Sequence, residues 1–313
     1  MMGSVCRLAA GAAHLTKGCG REWADMKAEA ATYAGLAVGL AVLVACSGGP
    51  AAVVEPPKEV AMAGAKIEQP QPGQMMRAGG FLTAETMPDA VATIPPAPKE
   101  GEARNDLDWK VFRDTRALEG SDRWKLAQSD NSYLPKDLVK DFACSVGADL
   151  TAENAPTLVA IFGKTTIDAG AAAEKAKQLY KRTRPYMHNA GNICIEKSEA
   201  LGKSFDYPSG HSSLGWTAGL VMAELVPDRA SQVLARGRAY GESRLVCGVH
   251  NMSAVEAGRT NAAGVFAALQ SSGEFKAMVE KARGEIAAVR ASGAKPDAAW
   301  CAKEAELVKP LAL

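Results

Sequence analysis

Three short stretches hold the residues best suited to chemistry: Lys177-x6-Arg184-Pro185, Pro208-Ser209-Gly210-His211 and Ser243-Arg244-x5-His250. Together they offer a lysine, two arginines, two histidines and a serine-glycine turn. Cations and amide donors of this kind hold a phosphate-like oxyanion, and neutral imidazole is a competent nucleophile toward phosphorus. Each stretch also has an ordinary reading. Lys177 and Arg184 can be solvated cations of a basic helix, since Lys175, Lys181 and Arg182 lie beside them. Ser209 can be a helix cap before a surface histidine, and His250 can be a core histidine.

Spacing separates these readings. Lys177 and Arg184 are seven positions apart, almost two helical turns, which predicts that both project from one face. Pro185 would stop that helix and leave Arg184 at its end, where a guanidinium can turn into a cleft and grip two oxygens at once. Pro208-Ser209-Gly210-His211 precedes an apolar run through Leu214, Trp216, Leu220 and Val221. A turn at Gly210 followed by the unpaired N–H groups of a helix start is a natural anion-binding corner. The Ser209 hydroxyl and Gly210 amide can donate to the oxyanion there, and His211 can protonate a leaving oxygen. His250 stands just before a predicted helix start near Asn251 or Ser253, and Arg244 would neutralise charge on the equatorial oxygens.

The elements that must position these residues read as helices. Leu107, Val111, Ala117 and Leu118 mark one amphipathic segment, and Ser121 can cap a short helix through Trp124 and Leu126. Pro135 and Gly147 frame another around Leu138, Val139, Phe142 and Ala143. Leu158, Ile161, Phe162 and Thr165 open a long helix predicted to run to Arg184. Residues 186–207 read as a loop, and helices follow over 211–225, 228–246, 252–270 and 273–292. No run of alternating β-branched residues competes. The expectation is an all-α fold, a single domain over 80–293, with a tail over 294–313.

Composition agrees. The formal charge of +1 implies no strongly basic or acidic surface, and the basic residues are spread over many helices, so no nucleic-acid partner is expected. A hydrophobic content of 47% suits a sizeable core. An apolar run from Ala34 to Ala45, about 12 residues, is too short to span a membrane and suits a signal-peptide core. It ends in Leu43-Val44-Ala45-Cys46, which resembles a bacterial lipobox. Residues 1–45 are therefore expected to be a leader and signal peptide. Met26 is an alternative start that would make 1–25 a mis-called extension. Cys46 is the expected lipidation site, and 46–79 a flexible tether. The alternative is an ordinary signal peptide that contains a cysteine. Ser47 after Cys46, in place of an aspartate, points to a periplasmic, lipid-anchored protein, of the outer membrane if the cell is Gram-negative. Phe81 to Pro98, rich in proline, is expected to lie extended over the domain.

Beyond Cys6, Cys19 and Cys46, four cysteines remain, and an even number in an exported protein suggests two disulfides. Three pairings are possible. Cys194 with Cys247 and Cys144 with Cys301 is the favoured one, because the first pair brackets the motifs. The alternative leaves Cys247 as a buried free thiol.

The three stretches, in this order and at these intervals, resemble the pattern K-x6-RP, PSGH and SR-x5-H-x3-D of the bacterial class A nonspecific acid phosphatases. Those enzymes belong to the type 2 phosphatidic acid phosphatase superfamily, with the vanadium haloperoxidases. Thr115-Arg116-Ala117-Leu118 and Val255-Glu256-Ala257-Gly258-Arg259 add to the likeness, which runs from about Phe81 through the last predicted helix. The resemblance implies a helical bundle of the acid phosphatase and haloperoxidase type that hydrolyses small phosphomonoesters without metal or cofactor. His250 resembles the nucleophile that forms a phosphohistidine and His211 the general acid and base. Lys177, Arg184, Ser209, Gly210 and Arg244 resemble the phosphate cradle. Self-association into a homo-oligomer is implied by resemblance alone.

One position departs. Where the pattern has aspartate, this chain has Ala254, and Asn251 replaces an aromatic next to the histidine. That aspartate normally orients the nucleophilic imidazole, and by analogy with a serine-protease triad its loss is expected to slow the reaction by on the order of 10⁴. Glu256 would point away on the helix, leaving Ser253 or water as weak substitutes. Two functions follow: an impaired phosphomonoesterase, or a degenerate relative that binds phosphate or a phosphorylated ligand without turnover. A vanadate-dependent haloperoxidase is a distant third.

Overall fold

The computed structural model describes residues 79–313. The expected leader (1–45), the lipidation residue Cys46 and the tether, apart from Gly79, lie outside the described residues. The described residues contain helices and no strand. In chain order they are α1 (Ala90–Thr93), α2 (Ala103–Thr115), α3 (Asp122–Ser129), α4 (Pro135–Asp141), α5 (Ala143–Val146), α6 (Pro156–Tyr180), α7 (Glu199–Lys203), α8 (Gly210–Leu225), α9 (Ala230–Cys247), α10 (Met252–Leu269), α11 (Gly273–Ser292) and α12 (Ala298–Leu307). None of them is long and apolar enough to cross a membrane.

Helix α8 is the axis of the bundle. It packs against α9, α10 and α6, and most of its residues are buried on every side, as expected of a helix enclosed by others. Two glycine contacts set how close its neighbours come. A Cβ at Gly237 of α9 would lie 2.8 Å from the Gly215 carbonyl oxygen and 3.0 Å from the Gly219 Cα. A Cβ at Gly258 of α10 would lie 2.5 Å from the Ser209 carbonyl oxygen. Any side chain at either point would push a helix off α8. The second contact draws the start of α10 onto the start of α8, where the Ser209 N–H donates to the Ala254 carbonyl at 2.9 Å. The main core lies away from this corner, where Phe142, Leu158, Ile161, Phe162, Val221, Met222 and Phe275 pack from α4–α6, α8 and α11.

Four local expectations change. Helix α6 ends at Tyr180, not near Arg184, and Lys181 closes it with a φ of 45°. Arg182 leaves the helix to bond buried Asp108 and Asn105, and Arg184 is extended ahead of Pro185, as a pre-proline residue favours. Residues 186–207 hold a 3₁₀ turn over Pro185–Met187 and helix α7 inside the predicted loop. Leu107 is 45% exposed, and Phe112 takes the inward position beside Val111. The expected tail over 294–313 contains α12, capped by Asp297 and joined to α5 by a Cys144–Cys301 disulfide. A second disulfide, Cys194–Cys247, ties the 186–207 segment to the end of α9.

Candidate active site

Two buried arginines and a half-buried lysine converge beside one imidazole. The Lys177 ammonium, on the last turn of α6, donates to the Phe205 carbonyl at 2.8 Å. The Arg184 guanidinium is fixed by the Ser204 carbonyl and hydroxyl (2.8 and 3.2 Å) and by the Val249 carbonyl (2.8 Å), and it donates to His250 Nε2 at 3.0 Å. Arg244, fully buried on α9, donates to Asn131 Oδ1 at 2.9 Å and the Ala127 carbonyl at 2.6 Å, while its Nε–H has no partner. Lys177 and Arg184 therefore meet because the chain breaks between them, not because one helix face carries both. Four of the five guanidinium N–H groups of Arg184 are already engaged, so the expected grip on two oxygens opens only if the bond to His250 is released.

None of the three hydrogen-bonds a carboxylate among the described residues. Burial holds the Lys177 ammonium down to about 7, with Arg184 adding to the effect. Burial also lowers Arg184 and Arg244 from the ordinary arginine value. Both remain cations, since guanidinium does not deprotonate in proteins.

The His250 tautomer follows from its partners. Guanidinium can only donate, so Nε2 faces Arg184 as a bare lone pair. Nδ1 carries the proton and donates to the Asp206 carbonyl at 2.8 Å and to Asp206 Oδ1 at 3.0 Å. Burial, then Arg184, Lys177 and Arg244, hold this imidazole well below its usual value, so it is neutral and nucleophilic in mildly acid solution.

Asp206 corrects the expectation that the second imidazole nitrogen lacks an acid. Position 254 is indeed alanine and fully buried, but the acceptor comes from the segment before Pro208. Besides His250, Asp206 Oδ1 accepts the Asn251 N–H at 3.1 Å, and Oδ2 accepts the Asn251 side-chain amide at 2.9 Å with Arg182 at 3.5 Å. Burial pushes the Asp206 carboxyl up, and Arg182, Asn251 and Arg184 pull it back. Asn251, which looked like a loss of the family's aromatic, is thus a carboxylate clamp. Glu256 is exposed, as expected. Ser253 bonds Asp108 through its N–H (2.7 Å) and hydroxyl (2.6 Å), so it does not serve the imidazole.

His211 stands at the start of α8. Its Nε2–H donates to the Asn131 carbonyl at 3.1 Å and its ring lies 3.8 Å from that of Tyr133, which leaves Nδ1 as the nitrogen able to exchange a proton. Burial, with Arg244 next, holds it well below the usual histidine value. Ser209 caps α8, its oxygen accepting from the Ser212 N–H (3.3 Å) and hydroxyl (2.9 Å), so its own hydroxyl proton remains to give. The amides of Gly210 and His211 open the helix without partners inside it. A cavity of about 470 Å³ reaches Lys177, Arg184, Gly210 and His250, with Tyr133 and Leu214 in its walls. Ser209, His211 and Arg244 do not line it; all three are buried, Ser209 and His211 flanking Gly210 in the chain and His211 against the ring of Tyr133.

The α3–α4 connection was absent from the sequence reading. Asn131 braces both Arg244 and His211, and the Tyr133 ring packs against His211 at a tilt of 50°. Ser243 of the third motif serves structure: it bonds buried Asp130 and receives Arg123 at 2.8 Å.

The sequence is similar to one family of known proteins and to individual phosphatases. The profile of the PAP2 superfamily matches residues 158–274. An acid phosphatase of Zymomonas mobilis is 37% identical over 214 residues, covering 68% of this chain and 81% of the relative. A non-specific acid phosphatase of Providencia stuartii is 32% identical over 204 residues, covering 64% and 82%. A crystal structure described as the first bacterial vanadium-dependent iodoperoxidase overlaps 57% of this chain and 51% of its own at a TM-score of 0.43 and 16% identity.

Proposed function

The chain belongs to the PAP2 superfamily, and on that premise we propose that it is an acid phosphatase, a hydrolase of small phosphomonoesters acting through a phosphohistidine. One observation carries the proposal: a neutral imidazole turns its Nε2 lone pair toward a cradle of two buried arginines and half-buried Lys177, to which no carboxylate among the described residues is hydrogen-bonded. Asp206 and Glu174 act on these cations only through space, so positive charge is left for a phosphate group to neutralise.

In the first step the Nε2 lone pair forms a bond to phosphorus and the ester P–O bond breaks. His211 gives its Nδ1 proton to the departing alkoxide. The substrate phosphate, by bringing negative charge beside His211, favours the imidazolium that this step requires. In the second step His211 takes a proton from water, the water oxygen bonds to phosphorus, and the P–N bond breaks to release orthophosphate. Arg184 loses its acceptor on Nε2 when the imidazole attacks, and its Nη1–H turns to a phosphoryl oxygen. Lys177, the free Nε–H of Arg244, the Ser209 hydroxyl and the Gly210 amide hold the remaining charge.

The expectation of an impaired enzyme rested on an imidazole without an acid, and the Asp206 contact removes that premise. It also weakens the reading of a binder without turnover. The two disulfides support action outside the cytoplasm, in keeping with the proposed lipid-anchored, periplasmic location.

The test is phosphate release from p-nitrophenyl phosphate between about pH 4 and 7, with rapid quenching and mass spectrometry of the peptide bearing His250. Turnover with a phosphoryl adduct on His250, both lost in His250→Ala, is the expected result. Equal release by wild type and His250→Ala would leave the binding reading in its place.

A further inference from the structure

We infer that Asp206 is the positioning acid of His250, taking over from the PSGH side the place that the family pattern gives to position 254. The inference rests on the phosphatase reading for its chemistry and on geometry for its assignment. The carboxylate lies 3.0 Å from Nδ1, on the side of the ring opposite the nucleophilic nitrogen. It is itself held in place: both oxygens are bonded by Asn251, and Arg182 sits behind at 3.5 Å. Arg182 in turn is anchored at 2.8 Å by Asp108 and at 2.9 Å by Asn105. A row of alternating charge thus runs from α2 through Arg182 and Asp206 to the imidazole.

Residue 254 looks into the same corner. Ala254 is buried beside Tyr207, and its carbonyl accepts the Ser209 N–H. One acid is therefore needed from two alternative backbones. With alanine at 254, the acid beside Nδ1 comes from 206.

A simpler reading makes Asp206 a cap for the start of α10, because it accepts the Asn251 N–H. The two readings differ in what the negative charge does. The Asp206 carbonyl also accepts from Nδ1, at 2.8 Å, and any residue at 206 would keep that bond and the tautomer. What only the carboxylate adds is compensation of the positive charge that the imidazole gains when Nε2 bonds to phosphorus. A cap would leave that step untouched.

Asp206→Asn keeps shape and removes charge. It is expected to lower kcat by about 100- to 1,000-fold, the size of one lost electrostatic partner, with inorganic phosphate affinity within about threefold. Vanadate accepts a fifth ligand, as phosphorus does in transfer, and its affinity should fall at least about tenfold more than that of phosphate. Asp206→Ala should behave alike, and Asp206→Ala/Ala254→Asp should recover at least about tenfold of the lost kcat. Ala254→Asp alone should bring no rise, since the imidazole already has its acid.

The assignment is overturned if folded Asp206→Asn and Asp206→Ala keep kcat and the vanadate-to-phosphate ratio within about threefold of wild type. A strong rise in Ala254→Asp alone would overturn it too, as would a folded double variant no faster than Asp206→Ala. If the double variant does not fold, the single variants decide. If wild type turns over no phosphomonoester, the phosphatase reading fails, and the vanadate-to-phosphate ratio still tests Asp206.

Discussion

Arg236 and Arg244 stand about two turns apart on α9, both fully buried, in opposite surroundings. Arg236 meets Asp130 at 2.7 Å, Glu304 of α12 at 3.2 Å and Asp141 at 3.5 Å. Burial alone would lower its pKa; Asp130, Asp141 and Glu304 reverse that and raise it. Among the described residues Arg244 is hydrogen-bonded by neutral partners alone, the Asn131 side chain and the Ala127 carbonyl, and burial lowers it. Arg184 and Lys177 share that condition. A cation that holds the bundle together is neutralised from within. A cation that awaits a ligand keeps its charge uncompensated, at some expense in stability.

The contrast can be broken in three ways. The largest effect is expected from Arg236→Met, which strands two buried carboxylates and the half-buried Asp141 and should lower unfolding free energy by about 3–5 kcal/mol. Chemical denaturation measures that loss, and kcat/KM of the folded protein should stay within a few-fold. Next, Arg184→Ala should cut kcat/KM by about 10²–10³ while destabilising the fold far less than Arg236→Met does. Equal destabilisation by the two variants would show that the cradle is structural. The smallest effect concerns pH. Lys177 loses its proton near pH 7, whereas His211 and His250 are neutral well below that. Phosphate affinity of the free enzyme should therefore weaken as pH rises through about 7, by at most about tenfold per unit. Lys177→Arg should flatten that loss. Isothermal titration with inorganic phosphate reads it, and an equally steep decline in Lys177→Arg would move the titration to another group.

Much of the site was legible in sequence because its motifs are local. Ser209-Gly210-His211 form a helix start by composition, and the chain delivers them together whatever surrounds them. Helices α8 to α11 lie within a few residues of their predicted bounds because apolar periodicity and capping residues such as Ser272 mark them. The end of α6 was not legible. Pro185 marks a nearby stop, and the earlier end at Tyr180 goes with the bonds of Arg182 to Asp108 and Asn105, on a helix far away in the chain. The role of Asn131 and Tyr133 was hidden for the same reason, since an Asn-Ser-Tyr turn carries no mark of the arginine and histidine it will meet. Asp206 left one faint signal, an acid two residues before Pro208 in a chain that lacks one at 254.

The amino-acid sequence by itself determined an all-helical bundle and the types of residue that would bind and attack phosphate, because helical period, caps and turn chemistry act over a few neighbours. Which acid faces His250, and which arginines keep their charge, only the tertiary structure decided. Those outcomes depend on distances between residues remote in the chain, and electrostatic partnership in a buried site is set by a few ångströms that no local pattern encodes.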